Sequence, residues 1–142
     1  MKKIILLLTI ICTSMSCTSQ KESVQRTNSI KEILFSAHTR GTSKSISVVE
    51  LQAIFKNNGN TSSFTITDKE KKQLLELIKK LNLKSISQIE APSNKRHSDG
   101  TLHASLTIKT NKESFTSSDF DDGNPPAELK DIINLLQTFS QE

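Results

Sequence analysis

The stretch TLHASLTIKTNKESFTSSDFDDGNPPAELKDIINLLQTFS (residues 101–140) decides the fold. In it Leu102, Ala104, Leu106 and Ile108 alternate with polar residues, the period of a strand with one buried face. Asn111-Lys112 turns the chain, and Glu113 to Ser118 returns as an antiparallel partner. Asn124-Pro125-Pro126 then offers an N-cap residue followed by proline in the first turn. Leu129, Ile132, Ile133, Leu136 and Phe139 recur at helical spacing, one apolar stripe on a helix running to about Ser140.

The preceding half has the same character. Ile30 to Arg40 reads as a strand with Ile33, Phe35 and Ala37 on one face, and Gly41-Thr42-Ser43 as a turn. Ser45 to Phe55 reads as a second strand whose alternation slips phase, from Ile46 and Val48 to Val49, Leu51, Ala53 and Phe55. Such a slip points to a bulge or to a strand covered on both faces. Asn57-Asn58-Gly59-Asn60 is a turn, and Ser63 to Ile66 a short third strand. Thr67-Asp68-Lys69-Glu70 has the form of a capping box, and Leu74, Leu77, Ile78 and Leu81 follow at helical spacing. Leu83 to Ile89 fits a strand or an irregular edge, and Ala91 to Gly100 is a polar loop.

Strands this close in sequence pair antiparallel, since no crossover helix separates them. The expected fold is an α+β two-layer sandwich in the order β-β-β-α-β-β-α, an antiparallel sheet of about five strands covered on one face by two helices. No residue-level repeat joins its two β-β-α halves. One domain is expected over residues 29–142, enough chain for a single core.

The first residues set a different expectation. Met1-Lys2-Lys3 precedes an apolar run from Ile4 to Cys12, and Thr13-Ser14-Met15-Ser16 leads into Cys17. This is the layout of a secretory signal, residues 1–16, with a hydrophobic run too short to span a bilayer. Ser14-Met15-Ser16-Cys17 resembles the lipobox of bacterial lipoproteins, although Ser14 stands where leucine is usual. Ile11 makes Cys12 the poorer cleavage site. The competing reading is an ordinary secretory signal with Cys17 as a bystander. Residues 17–28 are polar and aperiodic and read as a lipidated N-terminus with a flexible tether. With the loop at 91–100 and the segment 120–126, the chain resembles small uncharacterised lipoproteins of the Bacteroidota. The lipobox resemblance implies palmitate-type acylation of Cys17 and an address in the bacterial cell envelope, at the outer membrane on its periplasmic or surface side; the resemblance of the domain implies only its fold. It implies no activity.

Composition narrows the function classes. The chain has only two cysteines, Cys12 and Cys17, so the domain offers no disulfide, thiol nucleophile or cysteine-based zinc site. Its net charge is +4; without Lys2 and Lys3, 17 basic residues face 15 acidic ones. That near balance, with no Trp, no Tyr and six dispersed Phe, argues against a nucleic-acid partner.

No GxSxG elbow or glycine-rich phosphate loop is present, so no enzyme and no cofactor is expected. Candidate ligand residues are His38, His97, Asp99 and His103, donors suited to a metal, and Arg40, Lys95 and Arg96, a basic spot suited to an anion. The plainer account of each is a solvated surface group; His97 and His103 are six apart, which is no recognised ligand spacing. Asp119, Asp121 and Asp122 lack the regular spacing of a calcium loop. They read instead as a turn whose acids favour the positive end of the last helix. The leading expectation is a membrane-tethered, non-enzymatic binding module that engages an envelope protein or small ligand through an open sheet face or edge strand. The alternative is a metal or anion binder using His38, His97, Asp99 and His103.

Overall fold

Alternating apolar residues at Ile33, Phe35 and Ala37 put the first strand, Ile30–His38, at the centre of an open sheet. The computed structural model describes residues 30–140. The leader, Cys17 and the tether lie outside the described residues. The described residues contain seven strands: β1 Ile30–His38, β2 Ser43–Val49, β3 Gln52–Asn57, β4 Asn60–Thr65, β5 His103–Thr110, β6 Ser114–Thr116 and β7 Phe120–Asp121. The sheet order is β4-β3-β2-β1-β5-β6, every pairing is antiparallel, and β7 pairs with β5. Helix α1, Asp68–Lys79, and two 3-10 turns, Leu83–Gln88 and Lys95–Ser98, carry the chain from the β4 edge back to β5. Helix α2, Ala127–Thr138, ends the fold.

The α+β class and the antiparallel sheet are as expected; the strand count is not. Ser45 to Phe55 is two strands, with Val49 opposite Gln52 and Glu50-Leu51 as the turn. A two-residue loop puts even positions of β2 opposite odd positions of β3, as in Ile46 with Phe55 and Val48 with Ala53. The phase slip is therefore the parity change of a tight hairpin, not a bulge. The turn lacks the glycine or asparagine that normally signals one; Glu50 takes a left-handed backbone at φ 55°. The Asn58-Gly59 turn, with φ of 48° and 89°, follows the usual chemistry.

The register explains the core. Ile33 lies opposite both Val48 and Ile108, Phe35 opposite Ile46 and Leu106, and Ala37 opposite Ala104. These buried residues form one face and share a single cluster with Leu74 and Ile78 of α1 and Leu129, Ile132, Ile133 and Leu136 of α2. The opposite face carries Ser36 across from Ser45 and Ser105, and Leu34 across from Ser47 and Thr107. Hydroxyls meet there, Ser36 with Ser105 at 3.3 Å and Thr107 with Thr116 at 3.0 Å.

The capping box forms as the sequence predicts: Thr67 Oγ1 accepts from the Glu70 amide at 3.3 Å, and Glu70 Oε2 accepts from the Thr67 amide at 2.7 Å. The start of α2 differs from expectation. Pro126 occupies the N-cap position and makes no side-chain cap, while Asn124 Nδ2 donates to Ser93 Oγ at 2.7 Å. Leu83–Gln88 is a 3-10 turn rather than a strand, and it buries Leu83 and Ile86. Between β6 and β7 the chain leaves the regular ladder. Ser117 bridges the gap: its amide donates to Leu106 O at 2.9 Å, and its hydroxyl accepts from the Leu106 amide at 3.1 Å.

An L-residue in the left-handed region costs roughly 1 kcal/mol more than glycine does there. Glu50→Gly is expected to raise stability by about 0.5–1 kcal/mol. Urea unfolding followed by circular dichroism reads this as a higher midpoint at unchanged slope.

Candidate functional site

Antiparallel pairing brings the end of β1 beside the start of β5, so His38 lies directly opposite His103. Their neighbours Ala37 and Ala104 point into the core, which sends both imidazoles to the open face. The ring centroids are 6.2 Å apart, with the planes tilted by 30°. His97, from the Lys95–Ser98 turn, stands edge-on to His103, again 6.2 Å between centroids and with planes at 86°. Asp119 Oδ2 is 3.9 Å from His103 Nδ1. Every histidine of the chain thus gathers at one end of the open face. His38, His97 and Asp119 are exposed, and the His103 side chain is 34% exposed.

Asp121 anchors the loop backbone just before His97. It sits in β7 opposite His103, and it is buried. Its Oδ2 accepts from Ser93 Oγ at 2.5 Å and from the Lys95 amide at 2.8 Å. Its Oδ1 accepts from the Arg96 amide at 3.0 Å and from Arg96 Nη1 at 3.2 Å. Arg96 Nη1 also donates to Ser93 O at 2.6 Å. Burial raises the carboxyl's pKa, but the bonds from Ser93, the two amides and the guanidinium outweigh it and hold the value well below the carboxylate range. Gly100 permits the tight closure of this loop: a Cβ there would meet Lys95 O at 3.1 Å. Nearby, Asp122 Oδ2 pairs with Lys44 Nζ at 2.7 Å, and the Asp122 amide donates to Leu102 O at 3.1 Å.

Of the residues singled out from the sequence, His38, His97 and His103 come together, while Arg40, Lys95, Arg96 and Asp99 do not join them as ligands; Lys95 is exposed, with its amide on Asp121. Arg96 is buried against Asp121 rather than solvated. Asp99 closes the 3-10 turn in a left-handed backbone at φ 55°, its amide donating to Lys95 O. Arg40 lies exposed in the turn after β1 and forms no ion pair with any described residue. The expected Asp121-Asp122-Gly123 turn forms, closed by the Asn124 amide donating to Asp121 O at 2.9 Å, but the acids take other partners than expected. Asp121 and Asp122 bind the loop and Lys44 instead of facing the start of α2, and Asp119 faces His103. The segment's alternation, 119 and 121 on one side with Phe120 buried, was the available signal; recognising it required knowing that this segment pairs with β5.

The site offers imidazole nitrogens and one exposed carboxylate. As the side chains stand, no three metal-ligating groups among the described residues are close enough to hold an ion together. No helix among the described residues is long and apolar enough to cross a membrane. No protein-family model, curated protein or solved structure matches this chain.

The native pKa of Asp121 lies below its ordinary value of 3.8. Its contribution to stability is complete above that value and fades as the pH falls through it toward the depressed native value. Asp121→Asn is therefore expected to lower the urea midpoint at pH 7 and to flatten its decline between about pH 4 and pH 2. A pH series of urea melts on both proteins measures the difference.

Proposed function

We propose that the protein is a lipid-anchored component of the bacterial cell envelope that works as a non-enzymatic binding module. Its ligand engages the open sheet face at the end where the histidines meet. The observation that carries this reading is the convergence of His38, His103 and His97 toward solvent, with the loop before His97 anchored on a buried carboxylate. Binding groups held by a rigid scaffold give up little freedom when a ligand arrives. The rest of the open face is mostly Ser and Thr and has no comparable set of donors.

The anchor rests on the sequence: the leader, the small residues before Cys17 and the polar tether match the layout of a lipoprotein. The resemblance to small Bacteroidota lipoproteins supports the same address. The non-enzymatic reading rests on a sequence with no nucleophile elbow, phosphate loop or mature-domain cysteine. A cationic ligand is favoured over an anion, because Arg96 is committed to Asp121 and a carboxylate faces His103.

Mass spectrometry of the native protein tests the anchor; the expected N-terminus is an acylated Cys17, and an intact, unacylated leader overturns it. A photo-crosslinker at position 36, on the open face, is expected to give discrete adducts in intact envelopes. The same probe at exposed Lys130 of α2 is expected to give none. Equal labelling from both positions overturns the choice of surface.

A further inference from the structure

We propose that His38, His103 and His97 form a site for a divalent transition-metal ion of the zinc, copper or nickel kind, with Asp119 as a fourth donor. The proposal deepens the reading above and rests on the histidine end of the open face being the binding surface. Its core is the cross-strand pair. His38 and His103 are register partners on the same face, and directly opposed residues have Cβ atoms roughly 4.5–5.5 Å apart. Two imidazoles bound to one tetrahedral ion have ring centroids about 5 Å apart, given metal–nitrogen bonds near 2.0–2.1 Å. The observed 6.2 Å separations exceed this by about one ångström. Ring rotation at exposed side chains closes such a gap without moving either strand. His103 makes both contacts, with His38 across the strands and with His97 from the loop.

The ligand chemistry selects the class of ion. Imidazole suits zinc, copper and nickel, whereas magnesium and calcium prefer carboxylates, carbonyls and water. Asp119, already 3.9 Å from His103 Nδ1, brings negative charge to the ion and completes a tetrahedral set. The Asp121 network fixes the backbone at Arg96, the residue before His97, so the third ligand arrives on an anchored loop. Ligands from β1, β5 and the loop tie together segments separated by most of the domain's length, so binding stabilises the folded state selectively.

The test uses the untagged full-length chain, in detergent if acylated, after treatment with EDTA. Thermal unfolding is followed by circular dichroism, since the chain has no Trp or Tyr. At a hundredfold excess over Kd, zinc, copper(II) or nickel is expected to raise Tm by about 5–10 °C. Magnesium and calcium are expected to leave it unchanged. His38→Ala/His103→Ala, with an EDTA-treated Tm like that of the parent, is expected to lose the shift. His97→Ala is expected to keep a weaker one. Copper(II) electron paramagnetic resonance adds a readout of the ligands: nitrogen hyperfine structure in the parent that disappears in the double variant. No Tm shift with any of the three ions, or a shift that persists in the double variant, overturns the metal site. If the position-36 crosslinks remain in that case, the docking surface stands without the metal; if they vanish too, the surface itself was wrongly chosen.

Discussion

Four donors from one short segment converge on the Asp121 carboxylate, and the course of the loop at the histidine end of the sheet depends on that convergence. The segment from Ala91 to Gly100 contributes no strand to the sheet, so its backbone groups need partners elsewhere. Asp121 supplies them. The bond runs both ways, because β7 is only two residues long and has little ladder of its own. A buried pair such as Arg96 with Asp121 is poor evidence of net stability, since desolvating two charges is costly. Its effect here is on geometry: it selects one position for the loop, and with it one position for His97.

The regular elements were legible where local chemistry and burial agree. Alternation placed β1 and β5 and their inward faces correctly, and the Thr67–Glu70 capping box and the α2 stripe followed known patterns. Reading failed where the chain departs from the usual turn vocabulary. Glu50 makes a tight turn without glycine, so the hairpin carries the sequence pattern of one long strand. Asn124 has the side chain of an N-cap but donates to Ser93, a partner 31 residues away. The histidines were recognisable as candidate donors one at a time. That they meet depends on a strand register and on a loop fastened by a carboxylate 24 residues beyond His97, neither of which leaves a local trace.

The sheet divides its labour by face. Aliphatic and aromatic side chains fill one side, where two helices exclude water, while the other carries hydroxyls that bond across strands. Leu34 and Ile54 are half-buried among those hydroxyls. The outer β4 strand, NTSSFT, has a polar edge with few apolar groups to reward pairing with another chain. At the other margin, the interruption at Ser117 keeps β6 and β7 from presenting one continuous edge.

The direction of β1 has a consequence for orientation. Its nine residues run from Ile30, where the chain enters the domain, to His38 at the imidazole cluster. A strand of that length spans about 27 Å. The tether proposed above would join the domain at the opposite end of β1 from the imidazoles, so anchorage and ligand would not compete for one end of the sheet.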